Sequence, residues 1–209
     1  MDEVLSRYLD PAFRYVWSQN PARVRTREDA LRDGLNCVAL AHLVIRDLFG
    51  YTLPDRLQSL ELARDLAHFE PVPEPGRMRA GDLVWFGVDR PRVELDEFVP
   101  QYDGDELING SDFPVKHVAI RVGSCDDGDC LLLHASSVDG TNALWPLRRF
   151  RDYDRYRQIY AIRRLRQEFG YRVSLDSDDA ARRAFGSRHA CNASNTATMG
   201  ETGRYHRLS

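Results

Sequence analysis

Apolar residues recur at helical spacing along the first seventy positions and alternate with polar ones afterwards, so helices come first and strands follow. Residues 2–9 read as a short helix ended by Pro11, and Phe13, Tyr15 and Trp17 mark an aromatic extended piece. Thr26 caps a second short helix, with Asp29 at the capping-box position and Gly34 closing it. A third helix follows at once: Asn36 is a favoured N-cap, the run from Cys37 to Phe49 is apolar at 3.6-residue spacing, and Gly50 stands where a C′ glycine ends a helix. After a turn at 51–54, Asp55 opens an amphipathic helix that turns Leu57, Leu60, Leu62, Leu66 and Ala67 inward. A proline-rich connector at 71–76 marks the change of period. Strands are predicted at 82–88, 117–123, 130–136, 143–147 and 158–164. Helices before strands imply an α+β fold, with N-terminal helices packed on a central antiparallel β-sheet.

Between the first two strands lies an acidic insertion, 89–115, too long for an ordinary connection and expected to form a flap beside a functional site. Beyond residue 166 the chain turns polar, and 187–209 has the composition of a disordered tail. The chain thus divides into an N-terminal helical extension (1–14), one domain (15–166) and a C-terminal extension (167–209). No internal repeat and no phosphate-binding glycine loop is present in the sequence.

With 209 residues, 43% of them hydrophobic and 29% charged, the chain can bury a full core in one domain. A net charge of −3 gives no global basic field, which argues against nucleic acid or an anionic membrane as partner. The arginines between 148 and 166 read as a solvated face with apolar residues interleaved. Met1 leads straight into Asp2 and Glu3, so no export signal is expected; no apolar run reaches membrane-spanning length, and four cysteines do not make a disulfide scaffold. The expectation is a cytoplasmic protein with reduced thiols, no membrane partner and no cofactor.

Cys37, in the first turn of a buried helix, meets unpaired backbone N–H groups and the positive end of the helix dipole, which favour thiolate and suit a nucleophile. A buried structural cysteine is the commoner use of such a position. Strand parity adds to the case for a nucleophile. If 117–123 and 130–136 form a hairpin, opposed residues sum to about 251 or 253. His117 and His134 then share the face of Ala119, while Val118, Ile120, Val122, Leu131 and Leu133 point to the core face. Facing a helix that presents a thiol, the pair makes a Cys-His-His triad, with His117 as base and His134 fixing its tautomer and orientation. His42 reads as helix surface or a satisfied half-buried group, His68 closes a helix, and His189 and His206 fall in the tail. Cys125, Asp126, Asp127, Asp129 and Cys130 match neither a zinc knuckle nor a calcium loop, so no metal is expected there.

An ordered set of segments resembles the NlpC-type, papain-like cysteine peptidases, a family of bacterial cell-wall hydrolases. Tyr15-Val16-Trp17 is similar to the family's entry strand, Cys37 heads the central helix, and Leu53-Pro54 follows it. Gly81-Asp82-Leu83-Val84-Trp85-Phe86, His117-Val118-Ala119-Ile120-Arg121-Val122-Gly123 and Leu133-His134-Ala135-Ser136 resemble its three strand motifs. The resemblance covers roughly residues 15–165. It implies a papain-like fold with Cys37 as nucleophile, His117 as base, His134 as orienting residue and Tyr15 as a substrate contact, the N–H of Cys37 helping to form an oxyanion hole. Trp17, Asn36 and Val38 join Tyr15 as expected substrate-binding positions. The family's Asp-Cys-Ser-Gly is Asn36-Cys37-Val38-Ala39 here, lacking the charge and hydroxyl that bind a free amine. The function implied is a cysteine-dependent hydrolase, a peptidase or amidase working through a thioester on a peptide or other amide or acyl substrate. An acyltransferase using the same triad, an inactive binding module on the same fold, and a delivered toxin-like effector are the alternatives.

Overall fold

The computed structural model describes residues 2–104, 106–123 and 129–170. The expectations for the acidic turn at 125–129 and for the tail concern positions that lie almost wholly outside the described residues.

Helix α1 (Asp2–Ser6) continues as a 3-10 turn, Arg7–Leu9. Helix α2 (Arg27–Asp33) starts with a complete capping box: Thr26 Oγ1 accepts from the Asp29 N–H at 3.1 Å, and Asp29 Oδ2 accepts from the Thr26 N–H at 3.0 Å. Gly34 ends it at φ 80°, where a Cβ would fall 2.9 Å from the Arg14 carbonyl oxygen and 2.4 Å from Val16 Cγ2. That close approach lets Leu35 donate to Arg14 O (3.0 Å) and Val16 donate to Leu35 O (2.9 Å). The aromatic piece at 13–17 is thereby tied beside the next helix, through a single parallel bridge between Tyr15 and Leu35. Helix α3 (Cys37–Phe49) follows, with Asn36 Oδ1 accepting from the Ala39 N–H at 2.9 Å and Gly50 left-handed at its end. Nine of its 13 residues are buried, which makes it the central helix.

The fourth helix departs from expectation. Helix α4 spans only Ser59–Arg64, and Leu66 and Ala67 are exposed. Asp65 breaks it: its Oδ1 accepts from the N–H of Ala67 (2.8 Å) and of His68 (3.1 Å), offering the backbone a turn in place of another helical turn. His68 therefore follows a turn instead of closing a helix, its Nδ1 2.6 Å from Asp65.

Six strands form an antiparallel sheet in the order β1-β8-β2-β5-β6-β7: β1 (Phe69–Pro71), β2 (Leu83–Gly87), β5 (Val115–Val122), β6 (Leu131–Ser136), β7 (Thr141–Pro146) and β8 (Gln158–Leu165). A separate hairpin, β3 (Tyr102–Asp103) and β4 (Glu106–Leu107), lies within the insertion. Helix α5 (Leu147–Phe150) and a 3-10 turn, Asp154–Tyr156, connect β7 to β8. Strand β1 is absent from the sequence reading because Pro71 marks a connector, yet a three-residue edge strand tolerates proline. The insertion is anchored to the domain: Leu95, Phe98 and Phe113 enter the core, and the Arg64 guanidinium donates to the carbonyls of Leu95 and Phe98.

Both faces of the sheet are covered. Leu83, Trp85, Val118, Ile120, Val122 and Leu133 pack with α3 on one side. Val84, Phe86, Ala119, Leu132, Trp145, Phe150, Tyr156 and Ile162 form a second, aromatic-rich cluster on the other. Strand β2 is buried throughout, as a strand covered on both faces must be. Asp82 at its start is chelated by Arg164 of β8, Nε to Oδ1 at 2.9 Å and Nη2 to Oδ2 at 2.8 Å. Cys130, buried beside β6, is disulfide-bonded, which corrects the expectation of reduced thiols; Cys37 is free. A bridge needs only two cysteines, so four that make no scaffold still permit one.

Candidate active site

The register of β5 and β6 pairs Ile120 with Leu133, Arg121 with Leu132 and Val122 with Leu131, a sum of 253. His117 and His134 are then diagonal neighbours on the Ala119 face, as parity requires. Their rings are edge to face with centroids 5.0 Å apart, and His117 Nε2 lies 2.9 Å from His134 Nδ1. Both are buried, at 4% and 1% exposure.

The surroundings of the pair are aromatic. His134 meets Trp145 (4.5 Å between centroids) and Phe150 (4.8 Å), and His117 meets Tyr156 (4.8 Å). His134 Nε2 is buried and, among the described residues, has no hydrogen-bond partner. An N–H there is accommodated by π faces, whereas a bare lone pair is repelled by them, so the enclosure favours the tautomer protonated at Nε2. His134 Nδ1 then accepts from His117 Nε2–H, and His117 Nδ1 is left as a free base. Burial, with the neighbouring His134 and Arg155 adding to it, holds His117 well below the ordinary imidazole range. Burial, with Arg149 nearby, pushes His134 down to about 3. Both are therefore neutral.

The pair does not face α3 as the sequence suggests: α3 packs on the Val118 side, and the histidines lie on the other. What joins them is an opening in the sheet. Pairing between β5 and β6 stops at Ile120 and Leu133, after which β6 continues only with β7, as far as Ser136 and Thr141. Arg121 exchanges hydrogen bonds with the β2 side, so by alternation the Val118 N–H points toward β6, where no strand meets it. The Cys37 sulfur is turned to that N–H, and to those of Val38 and Cys37 itself. The thiol thus stands in the opening, at the residue next to His117. Burial nevertheless pushes the thiol up, outweighing these three N–H groups and Arg155. The resting state is a neutral thiol beside neutral imidazoles, where the helix-terminus argument alone expects thiolate.

Tyr15 lies close enough to Cys37 for the two to act on each other's charge; its phenol is pushed up by burial, then by Cys37 and Tyr156. Trp17 is 65% exposed, with its carbonyl accepting from Asn36 Nδ2 at 3.2 Å. The rest of the Asn36 amide is spent on Ala39 N–H and Gln19 O, so Asn36 builds the site's wall. Val38 is buried and contributes its N–H. His42 is held by the Leu57 carbonyl at 2.8 Å, away from this constellation.

Sequence reasoning missed Trp145, Phe150, Arg155 and Tyr156. Phe150, Arg155 and Tyr156 fall in the arginine-rich stretch read as a solvated face, and Trp145 lies just before it in the strand predicted at 143–147; Phe150 and Tyr156 are buried among those arginines. Among the described residues no group of three or more metal-ligating side chains comes together, and no helix is long and apolar enough to cross a membrane. No family model matches the chain, and no curated protein matches it.

Proposed function

We propose that this protein is a cysteine-dependent acyl-bond enzyme on an NlpC-type, papain-like fold, with Cys37 as nucleophile, His117 as base and His134 as positioning residue. The observation that carries this reading is the 2.9 Å contact between His117 Nε2 and His134 Nδ1, which leaves the other nitrogen of His117 free, one residue from the Val118 N–H that acts on the Cys37 thiol. His117 takes the thiol proton as sulfur attacks the substrate carbonyl, and the oxyanion forms among the N–H groups of Cys37, Val38 and Val118. Collapse expels the amine, which receives the proton from His117, and leaves a thioester. Water, deprotonated by His117, then releases the acid and restores the thiol. Reaction with water makes the protein a peptidase or amidase. The burial of Cys37, His117 and His134 excludes water and favours an amine acceptor as the second reading.

The test is acylation by p-nitrophenyl acetate, followed by nitrophenolate release, intact mass and peptide mapping. Wild type should carry acetyl on Cys37, Cys37→Ala none there, and His117→Ala should acylate at least about 100-fold more slowly. Faster loss of the acetyl group on adding amines identifies the acceptor. Acylation of Cys37 only after unfolding rejects the reading.

A further inference from the structure

The 3-10 turn Asp154–Tyr156 does two things at once. Tyr156 packs its ring against His117, and the preceding residue, Arg155, places its guanidinium over the Trp17 ring, 5.6 Å from the centroid. Trp17 is in turn fastened by its carbonyl to Asn36, the residue before the nucleophile. Arg155 and Trp17 therefore rim the thiol from opposite elements. The Arg155 charge acts on Cys37, His117, Tyr15 and Lys116 alike.

Arg155 is exposed and, among the described residues, makes no hydrogen bond or ion pair. Its neighbour Asp154 is taken by Arg157 at 2.7 Å, and Lys116, another cation beside the site, is committed to the Ser111 carbonyl at 2.9 Å. A guanidinium stacked on an indole keeps its edge, the planar fork that matches a carboxylate, free for a ligand. Leaving it unpaired beside a nucleophile, when Arg148, Arg149 and Arg157 are each paired with a carboxylate, places a positive subsite where a substrate would lie.

We propose that Arg155, held on Trp17, binds a carboxylate of the substrate and so makes the enzyme selective for anionic acyl groups. This rests on Cys37 being the nucleophile, and the test separates the two. Acylation of Cys37 by p-nitrophenyl hemisuccinate, which carries a carboxylate, is compared with that by p-nitrophenyl butyrate, which does not. Each rate is divided by the rate of the same ester with N-acetylcysteine. Wild type should favour the anionic ester at least about tenfold, the scale of one charge-assisted contact. Arg155→Gln should abolish the preference while leaving the butyrate rate within about threefold, Arg155→Lys should restore part of it, and Trp17→Ala should weaken it. Equal acylation of wild type by both esters overturns the subsite but leaves the nucleophile standing. Equal loss of both rates in Arg155→Gln also overturns it, assigning Arg155 to thiol activation. No acylation of Cys37 by either ester overturns both.

The source of the carboxylate is read from competition. A peptide with blocked ends and a glutamyl side chain, and one whose only carboxylate is its C-terminus, are each added to the hemisuccinate reaction. Slowing by either supports the subsite and names its source, and slowing by neither overturns it.

Discussion

Replacing His134 by Gln tests the dry aromatic box around the histidine pair. Gln keeps an acceptor for His117 Nε2–H but does not titrate. In the native protein His134 is pushed down to about 3 by burial, while in the unfolded chain it returns to roughly 6.5. Unfolding between those values therefore takes up a proton, so stability is full above pH ~6.5 and falls as the pH drops toward 3. At pH 5.5 the unfolded residue is about nine-tenths protonated and the native one is not, giving a slope of about 1 kcal/mol per pH unit. From pH 7.5 to 4.5 this one group accounts for about 3 kcal/mol. His117 and His42, both lowered chiefly by burial, add slope of the same sign in wild type and variant alike, and carboxylates cancel in the comparison. Urea denaturation at half-unit pH steps should show wild type losing about 3 kcal/mol more than His134→Gln over this range. Parallel curves would refute the reasoning, because His134 would then be titrating in the folded state as it does in water.

Other expectations concern the frame that carries the site. Asp82→Ala removes a carboxylate held by two guanidinium donors and by the Arg79 N–H (2.7 Å), leaving a mostly buried Arg164 charge unpaired; the expected loss is about 3 kcal/mol in urea. Combining it with Arg164→Met should recover part of that loss. Gly34→Ala forces a side chain into left-handed backbone 2.9 Å from the Arg14 carbonyl, and should cost about 2 kcal/mol or more. It should also slow acylation of Cys37 beyond what the stability loss explains, since Leu35 is the strut between Tyr15 and the nucleophile. A Gly34→Ala protein that acylates at the wild-type rate would disconnect that strut from the site.

Much of this was legible in the sequence because the signals were local. Thr26 with Asp29, and Asn36 with Gly50, fixed two helices through caps that need no tertiary information. Alternation in 117–123 and 130–136 was enough to put both histidines on one face, since parity survives any even shift of register. What alternation cannot reveal is which face the central helix covers, or that both are covered. The contribution of Trp145 and Phe150 was hidden because they stand 11 and 16 positions from His134, Phe150 in a charged context. Asp65 shows the opposite failure: its own side chain ended a helix whose apolar period continued to Leu66.

The three residue pairs that join β5 to β6 act as the spine of a book. His117 lies on the leaf made of β1, β8, β2 and β5, His134 on the leaf of β6 and β7, and the bond between their rings crosses the spine. A few degrees of opening between the leaves would part nitrogens that stand 2.9 Å apart while leaving the hydrogen bonds within each leaf intact. In the proposed mechanism the proton transfer at His117 therefore depends on the two leaves being held together.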